Sequence, residues 1–345
     1  MKEDMKRGIV LTIGIPVFNG EQLISRTLDS ILSDLKNVDC SCLEVLVSDN
    51  ASTDNTETIL QEQYRHQFGA VLSYHRNSEN LGFDRNVDLV VRRATGSHVW
   101  LLGCGEVIKP GALDVVLSRL QDGEYKNIVL NYEIYSEKTE QMEVFDNFAL
   151  GSDVTFDSAD TSFQALASWM MPISANIVSR DSWRAVEMLP LRQLGWCHIE
   201  RLIALMAADN EKKTLCISVP CFTLWREEHG WWDGEGRLFV NTVTFGRIVK
   251  CMREFGYSKA TIGTFLRRQY ATLSSIIYES KLQGLVLDRK LLASTIIVFY
   301  SRPTFWLFYL PILLLPYPCY RALRWVYRGW KSLTGAKAAT QVGRL

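Results

Sequence analysis

The sequence predicts an α/β protein, with an open, mostly parallel sheet flanked by helices, followed by a helical region and a C-terminal membrane-associating segment. Three observations carry this: apolar runs alternate with amphipathic stretches over the N-terminal part of the chain, the alternation fades past about residue 135, and the C-terminal end is aromatic and free of acids.

The elements follow in order. Ile9–Val17 is a β-branched apolar run closed by Asn19-Gly20, a buried strand and its turn. Ile24, Leu28, Ile31, Leu32 and Leu35 recur at helical spacing, so residues 21–35 can lay one apolar face on a sheet. Leu43–Ser48 is the next strand, and Ser52-Thr53-Asp54 supplies N-cap chemistry for a helix reaching about residue 66. Ala70–Tyr74, a helix over about 83–94, and the strand His98–Gly103 repeat the rhythm. Beyond it, Met142–Asp160 reads as an acidic, irregular connection. Residues 161–170, 181–188 and 196–208 read as short helices, Leu215–Val219 as a strand, and Phe239–Phe255 with Lys259–Tyr278 as longer helices.

With 345 residues, 47% hydrophobic and 22% charged, the chain can build about two ordinary domains around real cores, which excludes a disordered, collagen-like or disulfide-stapled protein. The 38 basic and 38 acidic residues balance, so overall charge gives a nucleic-acid partner no support. The balance is uneven along the chain: residues 289–345 hold nine basic residues and no acid, leaving residues 1–288 at net −9. Eight cysteines without a CxxC pattern read as reduced thiols. The charged stretch Met1–Gly8 lacks the apolar core of a signal peptide, so the body is expected to stay in the compartment where it is made.

In open α/β sheets, ligands bind beyond the carboxyl ends of the strands. The segments there are Pro16–Gly20, Ser48–Asp54, Arg76–Arg85 and Gly103–Gly111. No GxGxxG follows the first strand and no GxxxxGK[ST] occurs, which argues against the dinucleotide fingerprint and the P-loop.

Four of these stretches carry a resemblance. Thr12-Ile13-Gly14-Ile15-Pro16-Val17-Phe18-Asn19, Val47-Ser48-Asp49-Asn50-Ala51-Ser52-Thr53-Asp54, Asn80-Leu81-Gly82-Phe83-Asp84-Arg85-Asn86 and Pro110-Gly111-Ala112-Leu113 resemble, in order and spacing, the family 2 glycosyltransferases of the GT-A fold. More faintly, Ile173–Trp183 and Gly195–Leu205 resemble the members that build bacterial surface polysaccharides. The resemblance implies a Rossmann-like GT-A sheet. Residues 1–135 would form the nucleotide-sugar-binding half and 136–230 the acceptor-binding half, followed by a helical extension over 231–300 and a tail over 301–345. It implies that Asp49 accepts hydrogen bonds from the base while Pro16 and Val17 frame the ring, with Asn19, Asn50 and Cys104 in the same donor-binding set. Arg76 and Arg85 are candidates to face the diphosphate; the competing reading is a solvated surface arginine. Asp49 likewise has a plain reading as a turn-capping acid.

Departure of the diphosphate leaves new negative charge, which in this family a divalent metal, Mg²⁺ or Mn²⁺, usually neutralises from an Asp-x-Asp or Asp-Asp pair. Counted back from Pro110, the positions of those acids are Gly103, Cys104 and Gly105, and the first acid is Glu106. Either Glu106 reaches back as a metal ligand, or the metal has been lost and arginines carry the charge. The base that takes the acceptor proton is expected in Gly195-Trp196-Cys197-His198-Ile199-Glu200: His198 suits the task by its ordinary pKa, and Glu200 is the alternative.

Pro303–Tyr320 is uncharged and aromatic but interrupted by four prolines, which suits an in-plane segment better than a spanning helix. After it, Arg321, Arg324, Arg328 and Lys331 share one helical face, and Leu323, Val326, Tyr327 and Trp330 the other, a pattern for an anionic leaflet. The competing reading is a helix docked on protein. Together these readings anticipate an inverting transferase moving a sugar from a nucleotide-diphosphate donor to a polyprenyl-linked saccharide at the cytoplasmic face of a bacterial inner membrane. The alternative is a non-catalytic, membrane-docked homologue serving as scaffold or regulatory subunit. A nucleotidyltransferase is a weaker third, because its glycine-rich basic opening is missing.

Overall fold

The computed structural model describes residues 8–137, 139–143, 151–186, 197–209, 211–226, 244–282, 289–300, 303–322 and Trp325. The chain forms two compact units, Met1–Glu228 with Glu254–Ser258, and His229–Arg253 with Lys259–Leu345.

The first unit opens on β1 (Leu11–Val17), α1 (Ile24–Leu35) and β2 (Leu43–Asp49). Helix α2 comes in three pieces, Thr56–Ile59, a π turn Leu60–Tyr64 and Arg65–Phe68. Then follow β3 (Leu72–Arg76), α3 (Phe83–Arg93), β4 (His98–Leu101), β5 (Val107–Ile108), α4 (Ala112–Asp122) and β6 (Tyr125–Ser136). The second half adds β7 (Gln141–Glu143), β8 (Val154–Phe156), α5 (Ala159–Leu166), β9 (Asn176–Ser179), α6 (Arg180–Ala185), α7 (Cys197–Ala208) and β10 (Lys213–Arg226). Their sheet runs β3-β2-β1-β4-β9-β6-β10-β5, with β7 on β6 and β8 on β10.

Over the first half the sheet is parallel as expected, β3 to β2 to β1 to β4. It then becomes mixed: β9 runs antiparallel to both β4 and β6, while β6 and β10 pair in parallel. Two changes of direction therefore leave β1, β2, β4, β6 and β10 ending at the same edge. The fold is a GT-A-like α/β sheet flanked by helices. Strand β6 crosses the division expected near residue 135, so the two halves share one sheet.

Both sheet faces are covered, which is why the strands read as continuous apolar runs. Ile13, Ile15, Val45, Val47, Trp100, Ile128 and Ile217 pack with Leu28 and Ile31 of α1 and Leu113 and Val116 of α4 in one core. Val87, Val90 and Val91 of α3, Trp183 of α6 and Leu202 of α7 are also fully buried. Cys40, Cys42, Cys104, Cys216, Cys221, Cys251 and Cys319 are free thiols. Burial pushes the Cys216 and Cys221 thiols up to about 12.

The second unit holds α8 (Phe245–Glu254) up to Arg253, α9 (Lys259–Leu282), α10 (Arg289–Phe299), a π turn Phe305–Tyr309 and α11 (Leu310–Leu314). Phe305 and Leu313 pack with Ile277, Leu291 and Phe299 in a small core. Trp306, Leu307, Phe308 and Ile312 between them, and Leu314 just after, stand exposed. Among the described residues, no helix is long and apolar enough to cross a membrane. Arg321 is exposed, its guanidinium 5.8 Å from the Tyr317 ring. Arg324, Arg328 and Lys331 lie outside the described residues.

Candidate active site

The site grows from the carboxyl ends of β1, β2 and β4. The chain leaves β1 through Asn19, a left-handed residue with φ 52°, and leaves β2 through Ala51, left-handed at φ 62°. The two turns are stitched together. Asn50 N–H donates to the Val17 carbonyl (2.8 Å), Asn19 N–H to Ser52 Oγ (2.9 Å), and Thr53 N–H to Asn19 Oδ1 (2.8 Å). Pro16 and Val17 are buried at this junction, whereas the Phe18 ring next to them is 47% exposed.

Asp49 is fully buried, and both its oxygens are engaged within the protein. Oδ1 accepts the Ser52 N–H (2.8 Å) and Oδ2 accepts the Tyr74 hydroxyl (2.8 Å). Burial and the bond to Asp49 both raise the Tyr74 pKa, so the phenol stays a donor. Asp49 therefore shapes the turn from beneath, its carboxylate held by Ser52 and Tyr74. Asn50 is tied outward instead: its Oδ1 accepts from Asn77 Nδ2 and the Leu81 N–H (both 3.0 Å), and its Nδ2 donates to Asn80 Oδ1 (2.8 Å).

Behind the turn lies a polar network absent from the sequence expectations. Ser48 Oγ donates to Asn86 Oδ1 (2.7 Å) and accepts from Arg93 Nη1 (2.9 Å), while Arg93 Nη2 donates to Asn77 Oδ1 (2.9 Å). Burial lowers the Arg93 pKa. Of the two arginines considered for the diphosphate, Arg76 is committed to the turn. It donates to the Ser52 carbonyl (2.8 Å) and pairs with Glu57. Arg85 is exposed on the first turn of α3, at the open edge.

The loop after β4 runs through Gly103, Cys104, Gly105 and Glu106, and α1 holds it. Thr27 Oγ1 accepts the Gly105 N–H (2.8 Å) and donates to the Glu106 carbonyl (2.9 Å), Ser30 Oγ accepts the Ile108 N–H (3.0 Å), and Arg26 Nε donates to the Gly105 carbonyl (2.8 Å). On the other side, Ser174 Oγ accepts the Gly103 N–H (2.9 Å). Glu106 Oε2 accepts the Trp225 N–H (3.1 Å), tying the loop to β10. The Arg26 guanidinium lies 4.0 Å from the Trp225 ring centroid, and Trp225 Nε1 donates to Glu137 Oε1 (2.7 Å). Cys104 packs against Gly20, where an added Cβ would stand 3.0 Å from its sulfur. No signal along the chain marks Arg26, Ser174 or Trp225, because each acts through a partner distant in sequence.

The loop does not suit the divalent metal that the fold implies. Gly103 and Gly105 offer no side-chain ligand, a cysteine is a soft ligand for a hard cation, and Glu106, the one acid, has an oxygen turned to a backbone N–H. Among the described residues, no group of three His, Cys, Asp or Glu could hold an ion.

His198 lies on the first turn of α7, 3% exposed, with its ring edge-on to Phe83 (centroids 6.4 Å apart). Its Nε2 bonds to the Met171 carbonyl (3.0 Å), which can only accept, so Nε2 carries the proton and Nδ1 is the basic nitrogen. Burial pushes the His198 pKa below the usual imidazole value, against the Met171 carbonyl and the Asp84 charge, which pull it up. Glu200, two residues on, is half-buried. The structure thus brings Pro16, Val17, Asn19, Asp49, Asn50 and Cys104 together, and sets His198 beside the start of α3.

Comparison with known proteins fits this arrangement. The model of "Glycosyl transferase family 2" matches residues 12–179, which span β1 to β9 and all four strand-end segments. Residues 12–179 belong to glycosyl transferase family 2. The chain is similar to the abequosyltransferase RfbV of Salmonella typhimurium strain LT2, at 33% identity over 113 residues, 32% of this chain and 33% of that protein. It is also similar to the GalNAc(5)-diNAcBac-PP-undecaprenol β-1,3-glucosyltransferase of Campylobacter jejuni, at 26% identity over 127 residues, 37% and 39% of the two chains. The chain thus matches about a third of the length of these curated relatives. In fold, it is similar to residues 1–349 of S. aureus TarS in complex with UDP-GlcNAc, with TM-score 0.61, 13% identity, and 93% and 92% of the two chains covered.

Proposed function

We propose that this chain is an inverting glycosyltransferase that moves a sugar from a nucleoside diphosphate to a polyprenyl-linked saccharide at the cytoplasmic face of a bacterial inner membrane. The observation that carries the reading is the match over residues 12–179 to a glycosyl transferase family, with the strand-end segments of that region gathered at one sheet edge. The solved neighbour in complex with UDP-GlcNAc supports a nucleotide-sugar donor, and the undecaprenol-named relative supports a lipid-linked acceptor.

In this reading the donor lies over the stitched β1 and β2 turns, its base against the exposed Phe18 ring, where an aromatic face contributes stacking. The acceptor hydroxyl attacks the anomeric carbon from the side away from the diphosphate, so one displacement inverts the centre and needs one base. His198 is the proposed base, taking the proton at Nδ1, with the nearby Asp84 charge stabilising the imidazolium that forms. Glu200 is the alternative.

The exposed apolar residues between Trp306 and Leu314, next to a chain end rich in bases, support docking on an anionic leaflet. The scaffold reading draws on the missing acid pair. A screen of nucleotide sugars with polyprenyl-diphosphate saccharides separates the two. Product with inverted anomeric configuration supports the transferase, and absence of turnover with every donor favours the scaffold.

A further inference from the structure

The loop that lacks metal acids leaves little room for side chains at positions 103 and 105. Gly105 has φ +103°, where an L side chain is strained, and a Cβ there would stand 3.1 Å from Arg26 Nη2. A Cβ on Gly103 would stand 3.2 Å from both Glu106 Cγ and Ser174 Oγ. A side chain at position 105 would therefore start on a strained backbone and in tight contact with a guanidinium. Resting on the donor-site reading above, we infer that the chain binds the donor diphosphate without a divalent cation, at a loop built around the fixed positive charge of Arg26.

The loop needs no ion to hold its shape. Its polar groups are engaged by Arg26, Thr27 and Ser174, and its one acid, Glu106, is turned to the Trp225 N–H. Arg26 is anchored by Nε on the Gly105 carbonyl and by its stacking on Trp225, so its position costs no reorganisation when negative charge develops nearby. Its acidic neighbour, Glu137, lies 4.0 Å away and is 39% exposed, so that pairing is screened by water. Arg26 Nη2 is buried and has no hydrogen-bond partner among the described residues, which leaves the guanidinium with an unspent donor. Arg26 is thus a positioning residue that also carries charge: it sets the loop and supplies the field that a metal provides elsewhere.

Calorimetric titration of the full chain with UDP, CDP, GDP and dTDP, in excess EDTA and in excess Mn²⁺, tests this. The expected result is binding of at least one of them, with affinity in the two media agreeing within about threefold and no Mn²⁺ signal immobilised by protein in electron paramagnetic resonance. Affinity lower by tenfold or more in EDTA, or an immobilised Mn²⁺ signal that disappears in Glu106→Gln, overturns the inference while leaving the donor-site reading standing. Binding of no nucleotide in either medium overturns that reading, and this inference with it. In EDTA, Arg26→Met should weaken binding about tenfold or more and Arg26→Lys should restore part of it, with melting temperature recording whether each variant folds. If Arg26→Met does not fold, the EDTA comparison on the unaltered chain decides.

Discussion

Phe83 and His198 meet ring edge to ring face, joining the first turn of α3, which follows the Asn80-Leu81-Gly82 stretch, to the first turn of α7. The contact links the donor half of the domain to the stretch expected to supply the base. It also places the buried imidazole within the field of Asp84.

His198→Ala should lower kcat by roughly 10²–10⁴ while donor affinity stays nearly unchanged, as for loss of a general base. Because burial lowers the His198 pKa, the deprotonated base persists in acid, and the acid limb of the rate profile should fall below the ordinary imidazole value of about 6.5. Steady-state kinetics across pH check this. If Glu200→Ala gives the loss and His198→Ala does not, the base is Glu200.

Stability should decline in acid for a related reason. His98 and His198 both have folded pKa values held down by burial, so the unfolded chain binds their protons more readily. The stability they contribute is fully present above about pH 6.5 and is lost as pH falls below it. Urea unfolding at stepped pH should show a midpoint that falls through this range, less steeply in His98→Gln.

Asp49→Ala should destabilise the chain by about 2–5 kcal/mol, because it strands both the Ser52 N–H and the Tyr74 hydroxyl in a buried setting. Tyr74→Phe, which leaves one carboxylate oxygen short of a donor, should cost about 1–3 kcal/mol. Chemical denaturation measures both. Nucleotide affinity lost in Asp49→Ala with stability unchanged would instead mark Asp49 as a direct contact.

Gly105→Ala should cost about 1–3 kcal/mol, since it forces a side chain into a left-handed backbone against Arg26. Differential scanning calorimetry checks it, and an unchanged melting temperature would mean that the loop is free to re-form.

Replacing Trp306, Leu307 and Phe308 with serine should reduce co-sedimentation with phosphatidylglycerol vesicles without loss of fold, because these side chains are exposed. Phe305→Ser should instead destabilise the second unit, since Phe305 is fully buried. Reversing Arg321 to glutamate should weaken vesicle binding by about 1–2 kcal/mol, losing one attraction and adding one repulsion.

Much of this protein is set by local sequence. The apolar runs of β1, β2 and β4 and the helical spacing of α1 and α3 are legible because a strand buried on both faces and a helix buried on one have different periods. The strand-end turns are legible too, since left-handed or capping positions call for Asn, Ser, Thr and Asp. Tertiary structure alone decided the rest. The long strand β6 and the short β9 were not anticipated, since their pairing energy comes from partners far along the chain. The same holds for the site: that Asp49 accepts from Tyr74 and Ser52, and Glu106 from the Trp225 N–H, is decided by which donors the fold brings to each carboxylate. Sequence fixes which chemical groups are present at the sheet edge. Which of them remain available depends on long-range hydrogen bonds, because a buried polar group takes whatever partner the fold brings within reach.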